Sequence, residues 1–465
     1  MSGAPGISTG RSHATVAAEF QHDAARARWH DESLWFMRQK RDRATDLPAW
    51  ESLRTAGAAL KAHAMSRLAE LLEEFEARAT ANGVQVHWAR DGAEHNAIVL
   101  GILRTAGVTR VSKSKSMLTE ECGLNPFLEA QGIEVVDTDL GERIVQLAKE
   151  PPSHIVIPAI HWKRAEIGEL FHRTLGTPAG ETSPEALAAA ARVHLRDALL
   201  NAGAGITGAN ALVAETGGVV VCTNEGNADL GMHSPPIQIH CAGIEKIVAT
   251  RDDLGVLLRL LARSGTGQPV TSYTTHVTAP RLGTAMHVVL VDNGRSARLA
   301  DATMRSALHC IRCGACLNTC PVYRRSGGYS YGHVVQGPIG AILAPAVDLD
   351  AHAELPFAST LCGSCADVCP VRIDIPAQLL AWRARAGAAR KLPRGYALVF
   401  GVLGRVLAGR ARFAFAARWA RRVQRWLPAS WIAWRRNPWT RPGRALPVIA
   451  DESFREWARR EGKST

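Results

Sequence analysis

Cys310, Cys313, Cys316 and Cys320, with Pro321 directly after them, spell C-x2-C-x2-C-x3-C-P. No other feature of the chain restricts its fold so tightly. Three thiolates two residues apart must lie on one tight turn, where they can reach three irons of a single cube. Backbone N–H groups of that turn can donate to the cube's sulfides, and Gly314 lets the backbone come close. The fourth cysteine is carried past that cube and ligates a neighbouring one. A zinc site more often pairs C-x2-C units that stand well apart, so the spacing predicts iron–sulfur chemistry.

A second run, Cys362, Cys365, Cys369 and Pro370, repeats the C-terminal part of the first. Ser359 stands where its leading cysteine would be. Two such runs predict two [4Fe–4S] clusters with the last cysteine of each run exchanged. Cluster one then takes Cys310, Cys313, Cys316 and Cys369, and cluster two takes Cys320, Cys362 and Cys365. The fourth ligand of cluster two stays open between Ser359, a labile or missing iron, and a ligand from water, substrate or a partner. Neighbouring clusters of this kind suit stepwise one-electron transfer. The remaining cysteines, Cys122, Cys222 and Cys241, are isolated, and the last two fall in strand patterns that mark them as core residues.

Charge separates the C-terminal end from the rest. Residues 376–446 hold sixteen of the 55 Arg and Lys and no Asp or Glu, against a net charge of +12 for all 465 residues. The remainder is slightly acidic, which argues against a chain that coats nucleic acid. Residues 1–14 lack the apolar core of a signal peptide, and no stretch reaches the roughly 20 apolar residues of a membrane span. The expectation is a cytosolic protein, a compartment in which clustered cysteines read as metal ligands or redox centres.

The pattern divides the chain into a helical extension (1–45), an α/β domain (46–300), a two-cluster ferredoxin-like domain expected to be helical (301–375), and a basic Arg/Trp-rich region (376–465). Helix-like spacing runs over 46–81. Strands are expected at 108–111, 133–136, 155–157, 211–214, 219–222, 237–241 and 288–291, and helices from Thr119 and over 163–175 and 185–201. The alternation predicts a mainly parallel sheet.

Weaker signals carry less. Gly203, Gly205 and Gly208 match G-x-G-x-x-G, but a helix pattern precedes them and strands follow, so a tight helix-to-strand connection is expected rather than a dinucleotide site. Glu215, before Thr216 and Gly217, is a weak catalytic candidate against the reading of a solvated turn acid. Lys113, Ser114, Lys115 and Ser116 suit either an anion or a solvated basic loop. His154 and His161 read as structural. In the tail, Arg418, Arg421, Arg422 and Arg425 share one helical face and Trp419, Val423 and Trp426 the other. Such a helix can dock on an acidic partner, meet an anionic membrane surface, or pack on its own chain.

Several segments together resemble the lactate utilization protein B family. They are Trp35–Arg43 (WFMRQKRDR), Lys113–Asn125 (KSKSMLTEECGLN), Glu150–His161 (EPPSHIVIPAIH), Gly205–Gly217 (GITGANALVAETG), Asn224–Asn227, both cysteine runs, and Asn437–Trp439. The cysteine runs alone are shared with subunits of glycolate oxidase and anaerobic glycerol-phosphate dehydrogenase. The resemblance implies a lactate-utilization α/β fold, similar to ribose-isomerase and CoA-transferase-like folds. It also implies a role in oxidising L-lactate to pyruvate for growth on lactate. Two partners are implied: a cysteine-rich subunit and a second, smaller protein of the same α/β fold. The family's ligands fall on the same seven cysteines, and no catalytic residue for lactate carries over. The expected function is electron transfer within that complex. The alternatives are chemistry in the α/β domain itself, with Glu215 as base or nucleophile, or service to another 2-hydroxy acid oxidase such as glycolate oxidase.

Overall fold

The computed structural model describes residues 10–391, 394–427 and 450–462. Its strands in chain order are β1 (Gln85–Ala89), β2 (Arg110–Lys113), β3 (Glu134–Asp137), β4 (Ala204–Gly208), β5 (Ala211–Val213), β6 (Gly218–Thr223), β7 (Ile237–Gly243), β8 (Ile247–Val248), β9 (Tyr273–Val277) and β10 (Ala285–Val291). Six of them form an all-parallel sheet in the order β1-β10-β7-β4-β2-β3. A smaller mixed sheet has the order β8-β5-β6-β9. The chain folds as an α/β protein because its central strands are buried on both faces. Val288–Val291 is fully buried, with helices covering the sheet.

The continuous helical pattern over 46–81 breaks at Arg67 into the helices Trp50–Ser66 and Leu68–Ala81. Ser116 caps the helix expected at Thr119, so it starts earlier, at Met117. Two expectations are corrected. Residues 155–157 form no strand but a bend, because Pro151, Pro152 and Pro158 deprive the segment of ladder donors. The His154 ring accepts from the N–H groups of Val156 and Ile157 instead, at 3.0 and 3.1 Å. The glycines at 203–208 divide: Gly203 lies in the tight connection from the helix Pro184–Asn201, but Ala204 already begins a strand lying between β2 and β7 that holds Gly205 and Gly208. Gly205 is required there, since a Cβ would stand 1.8 Å from the carbonyl of Gly231 in the helix Asn227–His233.

The cysteine-rich segment is short helices and 3-10 turns, the longest being Gly337–Val347 and, just beyond, Ile375–Ala388. It shares one core with the α/β domain. Leu34, Trp50, Ile155, Val213 and Leu257 pack in the same buried cluster as Leu317, Tyr323, Ile339 and Trp382. Two compact units divide the chain, 1–391 and 392–465. The second contains the helices Arg394–Leu407, Arg410–Trp426 and Phe454–Arg460. In it Arg421 pairs with Glu456 at 2.9 Å, while Trp419 and Trp426 are exposed. The side chain of Arg425 and the segment 437–439 lie outside the described residues. No described helix is long and apolar enough to cross a membrane.

Candidate metal centre

The repeat between the two cysteine runs is written into the backbone. Arg312 and Leu361, each one residue before a cysteine, are both left-handed, with φ of 61° and 54°. Gly314 and Gly363, each one residue after, have φ of 78° and 83° and start short helices, Ala315–Thr319 and Ser364–Asp367. A non-glycine residue rarely takes this conformation, so its recurrence at matched positions marks one turn used twice. Gly314 has a second reason: a Cβ there would stand 2.9 Å from Val156 and 3.2 Å from the His154 ring.

This turn brings the cysteines together across the runs. Cys310, Cys313, Cys316 and Cys369 line one cavity, walled by Ile155, Ile311, Ile339, Val371, Ile373 and Ile375. Burial comes first in pushing the thiols of Cys313 and Cys369 up, to about 12 and about 11, with repulsion from Cys310 added at both. The Cys316 thiol is raised further by burial and by Cys310, Cys313, Cys365 and Cys369. Cys320 and Cys365 are raised by burial and by mutual proximity with Cys362, which is itself exposed. The groups are therefore Cys310, Cys313, Cys316 and Cys369, beside Cys320, Cys362 and Cys365. Buried thiols crowded in this way become thiolates only against a compensating cationic centre. Among the described residues, no three His, Cys, Asp or Glu side chains close on a single-ion point; the first four sulfurs surround a space instead. That donor set suits an iron–sulfur cube.

Backbone N–H groups already point at the sulfurs: Arg312 at Cys310 (3.4 Å), Tyr323 at Cys320 (3.5 Å) and Ile373 at Cys369 (3.4 Å). Ser359 repeats the first of these, its Oγ accepting from the N–H of Leu361 at 3.1 Å. Arginines of the N-terminal helices hold the second run from outside. Arg41 donates to the Val368 carbonyl at 3.1 Å, and Arg54 to the carbonyls of Asp367 and Cys369 at 2.7 and 3.1 Å. His154 ties the first run to the α/β domain through Asn318, at 3.0 Å. Burial lowers this ring to about 3, so it stays neutral. His161 is likewise structural, bonded to Ser153, Glu150 and Tyr329.

A second cavity, of about 900 Å³, opens at the carboxyl ends of β2, β4 and β7. In parallel α/β sheets this edge is where ligands bind. Ser114, Lys115 and Ser116 line it after β2, Ala209 and Asn210 after β4, and Glu245 and Lys246 after β7. Trp29, Phe36 and Met37 cover it from the helix Ala24–Ala44, and Arg312 and Cys313 reach it from the cysteine turn. Sequence reasoning missed this site because its walls come from segments far apart in the chain.

The other candidates are placed differently. Lys113 is neither solvated nor free for an anion: it is fully buried, 2.8 Å from Asp137, 3.1 Å from Glu120 and 3.6 Å from Glu142. Lys115 does face the cavity but is engaged by Asp139 and the Val156 carbonyl, at 2.9 and 3.0 Å. Glu215 lies on an exposed turn outside both cavities, where its carboxylate accepts from the first N–H of the helix Arg251–Gly265 at 2.9 Å. Cys122 and Cys241 are buried and Cys222 partly so, and burial raises all three thiols.

Two regions of the chain match known families. The LUD domain family matches residues 72–295 and the 4Fe-4S dicluster domain family matches residues 306–373. Lactate utilization protein B of Oceanobacillus iheyensis is 43% identical over 75% of this chain and 74% of its own length. An uncharacterized electron transport protein, YkgF, of Escherichia coli is 43% identical over 73% and 72%. The crystal structure of a DUF162 family protein from Deinococcus radiodurans overlaps 48% of this chain and 98% of its own at 17% identity, with a TM-score of 0.26. A cysteine-rich iron–sulfur module built onto a LUD domain, with this extent of identity, places the chain in the lactate utilization protein B family.

Proposed function

We propose that this protein is the iron–sulfur electron-transfer subunit of a complex that oxidises L-lactate to pyruvate. The observation that carries the reading is that Cys369 of the second run shares a cavity with Cys310, Cys313 and Cys316 of the first, while Cys313 also lines the cavity at the sheet's ligand edge. Cys310, Cys313, Cys316 and Cys369 would hold one [4Fe–4S] cluster, and Cys320, Cys362 and Cys365 the other. Such clusters supply one-electron redox chemistry, and lactate oxidation releases two electrons. The chain's own residues set the conditions: the aliphatic wall excludes water, and the N–H groups of Arg312, Tyr323 and Ile373 stabilise negative charge on sulfur. The partners proposed are a cysteine-rich subunit and a second LUD-fold protein. The exposed Arg418 and Arg422 belong to the basic face that would dock on an acidic partner. Growth tests its substrate: cells lacking the gene should fail on L-lactate and still grow on glycolate. Loss on glycolate alone would transfer the protein to another 2-hydroxy acid oxidase.

Ser359 is the proposed fourth ligand of the second cluster. It occupies the place of Cys310 in the repeated turn and accepts the equivalent N–H bond. Ser359→Ala should bring anaerobic protein from about eight irons to about seven and give an oxidised three-iron EPR signal, whereas Ser359→Cys keeps all of them. An alanine variant indistinguishable from the parent would remove Ser359 from the ligand set.

A further inference from the structure

The cavity at the carboxyl edge of the sheet has an electrostatic imbalance that the cluster reading does not use. Five charged groups gather on its floor. Arg295 is spent on two carboxylates: it makes a two-pronged pair with Glu121, both contacts 3.0 Å, and a further bond to Glu245. Lys246 and Arg312 remain. Among the described residues neither makes an ion pair, and Arg312 Nη1 is buried with no hydrogen-bond partner. Burial disfavours the Lys246 charge; Glu245 supports it, and Arg312 and Arg295 stand near enough to oppose it. Within this group two carboxylates face three cations; of the other charged residues lining the cavity, Lys115 is paired with Asp139, and Glu32 and Glu225 add two carboxylates. The wall beside them also presents Cys313, a cysteine of the first group. A buried unpaired guanidinium nitrogen is costly unless something accepts from it.

We propose that this cavity is a binding site for an organic anion whose negatively charged group sits between Lys246 and Arg312. Carboxylates and phosphates both match a fork of N–H donors next to an ammonium. The volume of about 900 Å³ is that of a site for a cofactor-sized molecule, well beyond what a three-carbon acid needs. Trp29, Phe36 and Met37 supply an apolar cover for the body of such a ligand. Its position against Cys313 puts it next to the first cluster group. The anion site stands on the cavity alone; only its pairing with a redox centre rests on the electron-transfer reading.

The competing account is that Lys246 and Arg312 merely balance the charge of a cluster at Cys310 and Cys313. The test uses the full chain, reconstituted anaerobically with its iron counted. Two probes are titrated by equilibrium dialysis: oxamate, a redox-inert stand-in for a 2-hydroxy acid, and flavin mononucleotide, a phosphate-bearing redox cofactor. At least one should bind, and its affinity should fall as sodium chloride is raised. Lys246→Met should weaken it by about tenfold or more at unchanged iron content, with Lys246→Arg restoring most of the loss. Oxamate binding would identify the anion as substrate, and flavin binding would identify a cofactor. Failure of both probes, binding indifferent to salt, or equal affinity in Lys246→Met protein would overturn the proposal. Because iron is measured separately, loss of the clusters and loss of the anion site give different results.

Discussion

Replacing Cys369 by alanine is expected to abolish the cluster of the first cysteine run and spare that of its own. Cys369 closes the second run in sequence, yet in space it shares a cavity with Cys310, Cys313 and Cys316. Anaerobic Cys369→Ala protein should hold about four irons in place of about eight and keep a single uncoupled EPR signal on reduction. Pairs of substitutions make the crossing explicit. Adding Cys310→Ala should cost no more iron, since both residues serve one cluster; adding Cys362→Ala should remove the rest. Residues acting as one unit are non-additive in this way, and independent sites add. The opposite pattern, with Cys369 and Cys362 behaving as one unit, would return each run to its own cluster and sink the interleaved assignment.

The two cysteine turns could be read before any coordinates because spacing alone carries them. Two residues between thiols fix a turn, and a following proline stops it, whatever the rest of the chain does. The sheet was legible where strands are continuous apolar runs, as at Val288–Val291, and illegible where local composition misleads. Residues 204–208 hold two of the three glycines and look like a loop, yet they form a central strand, since small residues are what a closely approaching helix demands. Ile155–Ile157 look like a strand and are a bend, because the flanking prolines act over a range that apolar content does not register. Of the cavity, only Ser114, Lys115 and Ser116 could be picked out as residues that suit an anion. Phe36, Ser116, Asn210, Lys246 and Cys313 come from five elements, and only the fold makes them neighbours.

Lys113 is the sharpest case of a residue whose surroundings reverse its apparent role, and its replacement should have the largest effect on stability. In sequence it belongs to a basic loop; in the fold its ammonium is fully buried among Asp137, Glu120 and Glu142. Asp137 and Glu142 are themselves buried, while Glu120 keeps partial access to solvent and so contributes less. Burial first, then the neighbouring Asp137 and Glu120, push the Glu142 carboxyl well above its ordinary range against the pull of Lys113. Lys113→Met removes the cation and leaves the acids without compensation, a loss of about 3–5 kcal/mol in urea unfolding. The loss depends on pH in a defined direction. Without the ammonium, the native Glu142 carboxyl holds its proton to higher pH than the unfolded one, which releases it near about pH 4. Above that point the folded variant binds more protons than the unfolded chain, so its stability falls as pH rises. The deficit should be smaller at about pH 5 than at about pH 8, and adding Glu142→Gln should recover part of it at the higher pH. A deficit under about 1 kcal/mol, or one equal at both pH values, would mean that Lys113 does not hold these acids together.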